Sequence, residues 1–142
     1  MISAKRARLP IGEKKRRSVQ WEAQQSKALE GSGDALGLFQ LHHVDWVHFE
    51  TVKTSRGTLK SGFPDYFVMG ADWCAYLEIK ARNVETRSPG KLSAEQRSFH
   101  ERLTSAGQEV WTALLPDDLE KINLWLRDKT GIICHIDGKA FL

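Results

Sequence analysis

The segment that most constrains the fold of this chain is residues 61–81, SGFPDYFVMGADWCAYLEIKA. Residues 65–69 are rich in aromatic and β-branched side chains, a composition that favours a strand. A second strand is predicted over residues 74–81, because Gly70-Ala71-Asp72 supplies turn residues between the two. Side chains alternate across a strand, so one face of the second strand is continuously apolar and belongs in a core. The residues of that face are Ala75, Leu77, Ile79 and Ala81.

The other face of the second strand carries polar groups that suit chemistry on a phosphate. Glu78 and Lys80 lie side by side there, and Asp65 comes alongside them if the two strands are neighbours in one sheet. Mg²⁺ takes oxygen ligands, usually one or two carboxylates together with water and substrate phosphate. Such an ion polarises a phosphoryl oxygen, and a nearby lysine offsets the charge that develops. A Glu-x-Lys pair alone is more often a solvated surface pair, but Gly62 and Pro64 define the start of the first strand.

Four short motifs follow one another along the chain. They are Gly62-Phe63-Pro64-Asp65, then Leu77-Glu78-Ile79-Lys80-Ala81, then Lys91-Leu92-Ser93-Ala94-Glu95-Gln96, and finally Gly107 ahead of an apolar strand. Over residues 18–128 this order resembles the VRR-NUC branch of the PD-(D/E)xK nucleases. The resemblance implies an α/β fold with a restriction-endonuclease-like core, in which a central mixed β-sheet is flanked by helices. It also implies a Mg²⁺- or Mn²⁺-dependent endonuclease that acts as a homodimer on branched DNA, including four-way (Holliday) junctions.

The resemblance also assigns roles to individual residues. Asp65 and Glu78 would bind the metal, and the backbone carbonyl of Ile79 would add a ligand. Lys80 would orient or activate the attacking water. Gln96 would help to build the site by holding a water or the lysine.

Two of these expected roles have competing explanations in the sequence. The family places an acidic residue on its first helix, for which Glu22 is the candidate and Glu30 and Glu50 are rivals. An ordinary surface glutamate explains Glu22 equally well. Gln96 fits a capping box with Ser93, which is a purely structural role. The structural and the site role of Gln96 are compatible with each other.

The positive charge of the chain is concentrated at its start. Residues 1–17 carry seven basic residues and one acidic residue, a net charge of +6, so the rest of the chain sums to −3 within a total of +3. We expect residues 1–17 to form a flexible basic arm and residues 18–142 a single nuclease domain. Such an arm either contacts DNA phosphates or only keeps the chain soluble. The candidate DNA-binding residues lie in the arm, in a predicted connection over residues 53–60 and in the loop after the second strand: Lys14, Lys15, Arg16, Arg17, Lys53, Arg56, Lys60, Arg82, Arg87 and Lys91.

The remaining patterns predict the other elements of an α/β sandwich. Apolar residues at helical spacing predict helices over residues 18–30, 93–106 and about 118–129. Strands are predicted over residues 44–52 and 109–115, and residues 132–136 are compatible with a last edge strand. The helix that follows the second strand should cross over to a parallel strand.

Several classes of protein are disfavoured by what the sequence lacks. No apolar run approaches the ~20 residues needed to span a bilayer, and no signal-peptide core follows the basic start. We therefore expect a cytoplasmic protein without a membrane partner, and so compact a chain suits a bacterial cell or a phage-infected host. His42, His43 and His48 lack the spacing of a zinc motif. Cys74 and Cys134 are far apart and should behave as small apolar residues.

Two other functions stay open on the residues alone. One is a restriction-type or nicking endonuclease that acts on duplex DNA, although no segment resembles a helix that reads a groove. The other is a non-catalytic junction-binding module, in which the carboxylates only stabilise a loop.

Overall fold

The computed structural model describes residues 25–49 and 62–134. Residues 25–30 are helical and are called α1. The elements that follow are β1 (Gly31–Ser32), β2 (Ala35–Leu36), α2 (Leu38–Leu41), β3 (Asp45–His48), β4 (Tyr66–Met69), β5 (Cys74–Ala81), α3 (Ala94–Ser105), β6 (Val110–Leu115) and α4 (Leu119–Thr130). Within the described ranges, no helix is long and apolar enough to cross a membrane.

Strands β3 to β6 form a four-stranded mixed sheet in the order β3-β4-β5-β6. The pairs β3/β4 and β4/β5 are antiparallel, whereas β5 and β6 are parallel. Helix α3 connects the two parallel strands, because a parallel pair needs a crossover connection. The predicted mixed sheet, its flanking helices and the crossover after the second strand of residues 61–81 are therefore confirmed.

The main hydrophobic core joins the sheet to α1, α2 and α4. The apolar face predicted for β5 supplies Ala75 and Leu77, both almost fully buried. Helix α4 contributes a stripe of buried residues at helical spacing, Ile122, Trp125 and Leu126. The helix ends at Gly131, whose φ of 75° is a left-handed conformation that glycine adopts readily.

Two predicted strands differ from the observed structure. Of the strand expected over residues 44–52, the described part is residues 44–49, and within it only Asp45–His48 form a strand, because pairing with β4 ends where His48 lies opposite Tyr66. Residues 132–134 are not in a strand. They are held instead by side chains of α4, since Thr130 Oγ1 accepts from the Ile132 N–H and Asn123 Nδ2 donates to the Cys134 carbonyl.

Several predictions fall on residues 1–24, 50–61 and 135–142, which lie outside the described residues. They concern the basic arm with its boundary at residue 17, and the residues Glu22, Glu50, Lys53, Arg56 and Lys60. The roles of these residues stay predictions.

Candidate active site

A cavity of about 570 Å³ lies beside the carboxyl end of β5. Side chains from α1, β3, β4, β5, α3 and the loop of residues 82–90 line it. The four residues predicted to be catalytic all line this cavity: Asp65, Glu78, Lys80 and Gln96. Ile79 lines it as well.

Asp65 is held beside Glu78 by the backbone of β5. The antiparallel register pairs Tyr66 with Leu77, so the next position along places Asp65 opposite Glu78. Asp65 Oδ2 accepts a hydrogen bond from the backbone N–H of Ile79 at 2.7 Å. The pairing of neighbouring strands thus brings the two carboxylates together.

Glu78 is a buried carboxylate with incomplete hydrogen bonding. Only 3% of the residue is exposed. Its Oε1 accepts from Gln96 Nε2 at 2.8 Å and lies 3.7 Å from Lys80 Nζ. Its Oε2 is buried and has no hydrogen-bond partner among the described residues. Burial, reinforced by the charge of Asp65 and opposed by that of Lys80, raises the pKa of Glu78 to about 8. A carboxylate oxygen in this position is costly unless a cation or a donor satisfies it.

Gln96 connects Glu78 to Lys80 through the two ends of its amide group. Its Oε1 accepts hydrogen bonds from Lys80 Nζ and from the Ser93 N–H, both at 2.9 Å, while its Nε2 donates to Glu78. Since one end must accept and the other must donate, these partners set the orientation of the amide. Ser93 Oγ accepts from the Gln96 N–H at 3.1 Å and completes the capping box of α3. Gln96 therefore caps the helix and contacts the site at the same time.

Gly62 lets the chain ahead of Asp65 pass close to the start of α3. Its φ of 89° lies in the left-handed region that favours glycine. A Cβ at this position would lie 2.5 Å from the Glu95 carbonyl oxygen and 3.0 Å from the backbone nitrogen of Gln96. The Gly-Phe-Pro-Asp segment thus packs directly on the helical turn that carries Gln96.

The oxygen atoms of the site are compatible with a hard divalent cation. Asp65, Glu78 and the carbonyl of Ile79 could supply two or three ligands, and Mg²⁺ typically keeps several waters beside so few protein ligands. Within residues 25–49 and 62–134, no group of three or more His, Cys, Asp or Glu side chains is arranged to hold a metal. Glu22 lies outside these ranges. Two carboxylates and a carbonyl are the kind of ligands that suit Mg²⁺ or Mn²⁺, and Glu78 Oε2 is the buried oxygen among them that lacks a hydrogen-bond partner within the described residues.

Glu30, a rival candidate for the acidic residue of the first helix, is bound to other side chains. Its carboxylate accepts hydrogen bonds from Trp46 Nε1 at 3.1 Å and from Tyr66 OH at 2.6 Å, and it pairs with His48 Nδ1 at 3.1 Å. Burial raises the pKa of Glu30, but the hydrogen bonds from His48, Tyr66 and Trp46 outweigh burial and hold that pKa below its ordinary value. Both oxygens are engaged, so Glu30 ties α1 to β3 and β4.

Other residues that were not among the candidate site residues line the cavity or lie next to it. His48 is one of them, with its ring stacked on Tyr66 at a centroid distance of 4.4 Å. Gln25 and Ser26 of α1 are two more. His100 lies one turn after Gln96, where burial and then the charge of Lys80 lower its pKa. In the sequence, only the place of His48 on the strand that pairs with the segment after Asp65 indicates that it lies at the cavity. This indication can be used only once the register of the two strands is known.

The candidate DNA-binding residues of the described chain fall into two groups. Arg82 is used within the chain, because its Nη2 donates to Asp117 Oδ2 at 2.7 Å and its Nη1 to the Arg87 carbonyl at 2.9 Å. It anchors the loop of residues 82–90 to the segment ahead of α4. The side chains of Arg87 and Lys91 are exposed on and next to this loop.

Comparisons of the chain with protein-family models, with curated proteins and with solved structures found no match. The class of protein is therefore defined by the fold and the site themselves. It is a mixed α/β protein in which a four-stranded sheet brings two carboxylates, a lysine and a glutamine to one cavity.

Proposed function

We propose that this protein is a Mg²⁺- or Mn²⁺-dependent endonuclease of the VRR-NUC type, with a restriction-endonuclease-like core, that hydrolyses phosphodiester bonds in branched DNA. The observation that carries the proposal is the carboxylate of Glu78. It is buried beside Asp65, with one oxygen lacking a hydrogen-bond partner among the described residues. Two adjacent carboxylates, one of them buried, are costly unless a positive charge compensates them. A bound metal ion would supply that positive charge. The order of the motifs along the chain supports the same function.

The side chains around Glu78 suit hydrolysis of a phosphodiester. A divalent ion held by Asp65 and Glu78 would polarise a phosphoryl oxygen and lower the pKa of a water molecule. Lys80 lies within 3.7 Å of Glu78 Oε1, so its ammonium group would orient the attacking water or offset charge on the phosphate. Gln96 restrains Lys80 Nζ by accepting its hydrogen bond, which pre-organises the lysine. Attack in line on the phosphorus would leave 5′-phosphate and 3′-hydroxyl ends, as in the nucleases that the motifs resemble.

Branched DNA and a homodimer enter the proposal through the same resemblance. Symmetric cutting of a four-way junction requires two sites, and a two-fold dimer would supply them. The basic arm of residues 1–17 would add salt-dependent contacts to phosphates. The exposed Arg87 and Lys91 would add contacts beside the cavity. The proposed setting is the cytoplasm of a bacterial cell or a phage-infected host.

The test compares a labelled four-way junction with a linear duplex of the same sequence, each incubated with the protein and Mg²⁺, Mn²⁺ or EDTA. We expect metal-dependent cutting of the junction alone. Equal cutting of both DNAs would indicate a restriction-type or nicking endonuclease. A gel shift without cutting in either metal would indicate a non-catalytic junction-binding module. The Lys80→Ala variant, purified in parallel, controls for contaminating nuclease.

A further inference from the structure

Five aromatic side chains form a cluster on the sheet face that carries Glu78 and Lys80. Phe63 is at its centre, with ring centroids 4.5 Å from Phe49, 5.8 Å from Tyr76 and 5.2 Å from Phe99. Phe67 joins the cluster through Tyr76, at 4.9 Å. Each of the five is half-buried, and none belongs to the main hydrophobic core. This set is called the aromatic platform: Phe49, Phe63, Phe67, Tyr76 and Phe99.

The aromatic platform is continuous with the candidate active site along two strands. Tyr76 precedes Glu78 by two residues on β5 and therefore shares its face. Phe67 follows Asp65 by two residues and lies directly opposite Tyr76 in the register of β4 and β5. Residues two apart on a β-strand are separated by about 7 Å, which is about the length of two nucleotide steps along one strand of stacked DNA. Nucleotides next to a phosphate at Asp65 and Glu78 would therefore reach these rings.

The charges around the platform favour base stacking over a general attraction for phosphate. The Arg102 guanidinium lies over the Phe99 ring, 5.3 Å from its centroid. Lys80 lines the cavity and follows Tyr76 by four residues on the same face of β5. The four charged side chains of α3 cancel, so the helix carries no net charge; they are Glu95, Arg97, Glu101 and Arg102. Aromatic rings combined with an arginine bind unpaired bases largely independently of sequence, because every base has a π-face.

We propose that the aromatic platform binds the bases of an unpaired DNA strand next to the phosphate that is cut. This inference rests on the proposed nuclease function and narrows its substrate to DNA with unpaired nucleotides at the branch. A fully paired duplex hides the faces of its bases, so it would gain nothing from the platform. A second copy of the chain is the competing occupant, since half-buried aromatic residues also suit a subunit interface.

The experiment measures binding by fluorescence anisotropy, with labelled oligo(dT) and a labelled duplex of the same length as probes. Ca²⁺ replaces Mg²⁺ as the hard cation, and a gel confirms that the DNA stays intact. Phe67→Leu and Tyr76→Leu alter the platform. Trp73→Leu is the matched control, because Trp73 is a half-buried aromatic residue that packs on Trp125 at the far end of β5.

We expect the platform variants to bind oligo(dT) about tenfold more weakly than the wild type, with duplex binding within about twofold. The loss should be the same at low and high salt, because stacking releases no counterions, whereas a lost phosphate contact would reduce the salt dependence. Trp73→Leu should bind both probes normally. Oligo(dT) affinity that is unchanged in both platform variants would overturn the inference. The inference would also be overturned if the variants changed from dimer to monomer while their affinity for oligo(dT) stayed the same, since the platform would then be a subunit interface.

A second readout uses the wild-type protein, so it does not depend on how well the variants fold. Oligo(dT) that contains 5-iodouracil is crosslinked by ultraviolet light, and the crosslinked peptides are mapped by mass spectrometry. Crosslinks to any of the five platform rings support the inference, and crosslinks confined to other residues overturn it. Wild-type protein that cuts junctions but crosslinks elsewhere overturns the platform alone. Wild-type protein that neither binds nor cuts DNA overturns the proposed function as well.

Discussion

The side-chain oxygen of Gln96 accepts a hydrogen bond from Lys80 Nζ at 2.9 Å while Gln96 also completes the cap of helix α3. The same amide donates to Glu78 at 2.8 Å. The first turn of α3 therefore fixes an amide group that holds the lysine and one carboxylate of the candidate site. The geometry of the site is thus coupled to the start of the helix.

Replacing Gln96 with Glu should lower turnover and leave α3 intact. A glutamate keeps an acceptor for Lys80 and for the Ser93 N–H, but it loses the donor to Glu78 and places a second carboxylate against it. We expect about a 10- to 100-fold loss of nuclease activity, as for groups that orient metal ligands, with unchanged helical circular dichroism. Ser93→Ala is the control, because it removes the capping oxygen, costs about 1 kcal/mol of stability and should leave activity near the wild-type level. Equal losses of activity in both variants would mean that Gln96 acts only through the helix.

Lys80→Ala should retain metal and DNA binding and lose turnover. The ammonium group is proposed to act on the water or on the developing charge, so its removal should cost about 10²- to 10⁴-fold in the rate of cutting. Single-turnover cutting and anisotropy with a labelled junction measure the two properties separately. Normal turnover in this variant would remove Lys80 from the mechanism.

Mg²⁺ or Mn²⁺ should stabilise the folded protein through Asp65 and Glu78. A ligand that binds only the folded state adds about 2.7 kcal/mol at a hundred times its Kd, so the Tm should rise with metal and fall again with EDTA. Asp65→Asn and Glu78→Gln should abolish this shift. Asp72→Asn changes an exposed carboxylate in the turn before β5 and should keep it. A full shift in Glu78→Gln would contradict the proposed metal site.

Gly62→Ala should destabilise the protein more than Gly107→Ala. Both glycines have positive φ, 89° and 83°, so both variants carry the strain of a left-handed residue, about 1–2 kcal/mol. An added Cβ at Gly62 also meets the Glu95 carbonyl, whereas at Gly107 no described atom lies within 4 Å. Urea unfolding should show the larger loss for Gly62→Ala, and activity should fall with it because Asp65 follows on the same segment. Equal losses of stability in the two variants would show that the backbone near Glu95 shifts to accommodate the added Cβ at little cost.

Glu109 should contribute stability that is lost in acid, away from the candidate site. Burial raises its pKa, but hydrogen bonds from Lys129, Trp125 and Trp111, together with the charge of Lys129, hold that pKa below its ordinary value of 4.5. A lowered pKa in the folded state adds stability above the unfolded-state pKa, and this gain disappears as the pH falls through the folded-state value.

The Glu109→Gln variant tests this dependence on pH. It should be less stable than the wild type at neutral pH, by about 1 kcal/mol or less because the Glu109–Lys129 pair is partly exposed. The difference should shrink as the pH falls below the unfolded-state pKa. Urea unfolding at neutral and acidic pH measures this difference in stability between the two proteins. A difference that does not change with pH would mean that the charge of Glu109 does not cause it.

Much of the fold could be predicted because it depends on residues close together in the chain. Period-two alternation identified β5 and its apolar face, and helical spacing identified α4. The box formed by Ser93 and Gln96 was visible as a three-residue spacing, and the strands flanking α3 implied a crossover. The same local signals named Asp65, Glu78 and Lys80 as candidates for one site.

The roles of Glu30 and Arg82 could not be predicted in this way. Glu30 reaches Trp46 and Tyr66, which are 16 and 36 residues away in the chain. Arg82 pairs with Asp117, at a separation of 35 residues. No short-range pattern encodes such pairs, so a rival metal ligand and a candidate DNA contact both proved to have partners within the chain.

Backbone geometry over a few residues was thus enough to place Glu78 and Lys80 on one face of a strand and Gln96 at a helix start. That these side chains share a cavity, and that Glu78 is buried against Asp65, depended on how β4, β5 and α3 pack. The physical reason is that alternation and capping follow from bond geometry and local hydrogen bonds. Burial and charge pairing depend instead on which distant segments the hydrophobic core brings into contact.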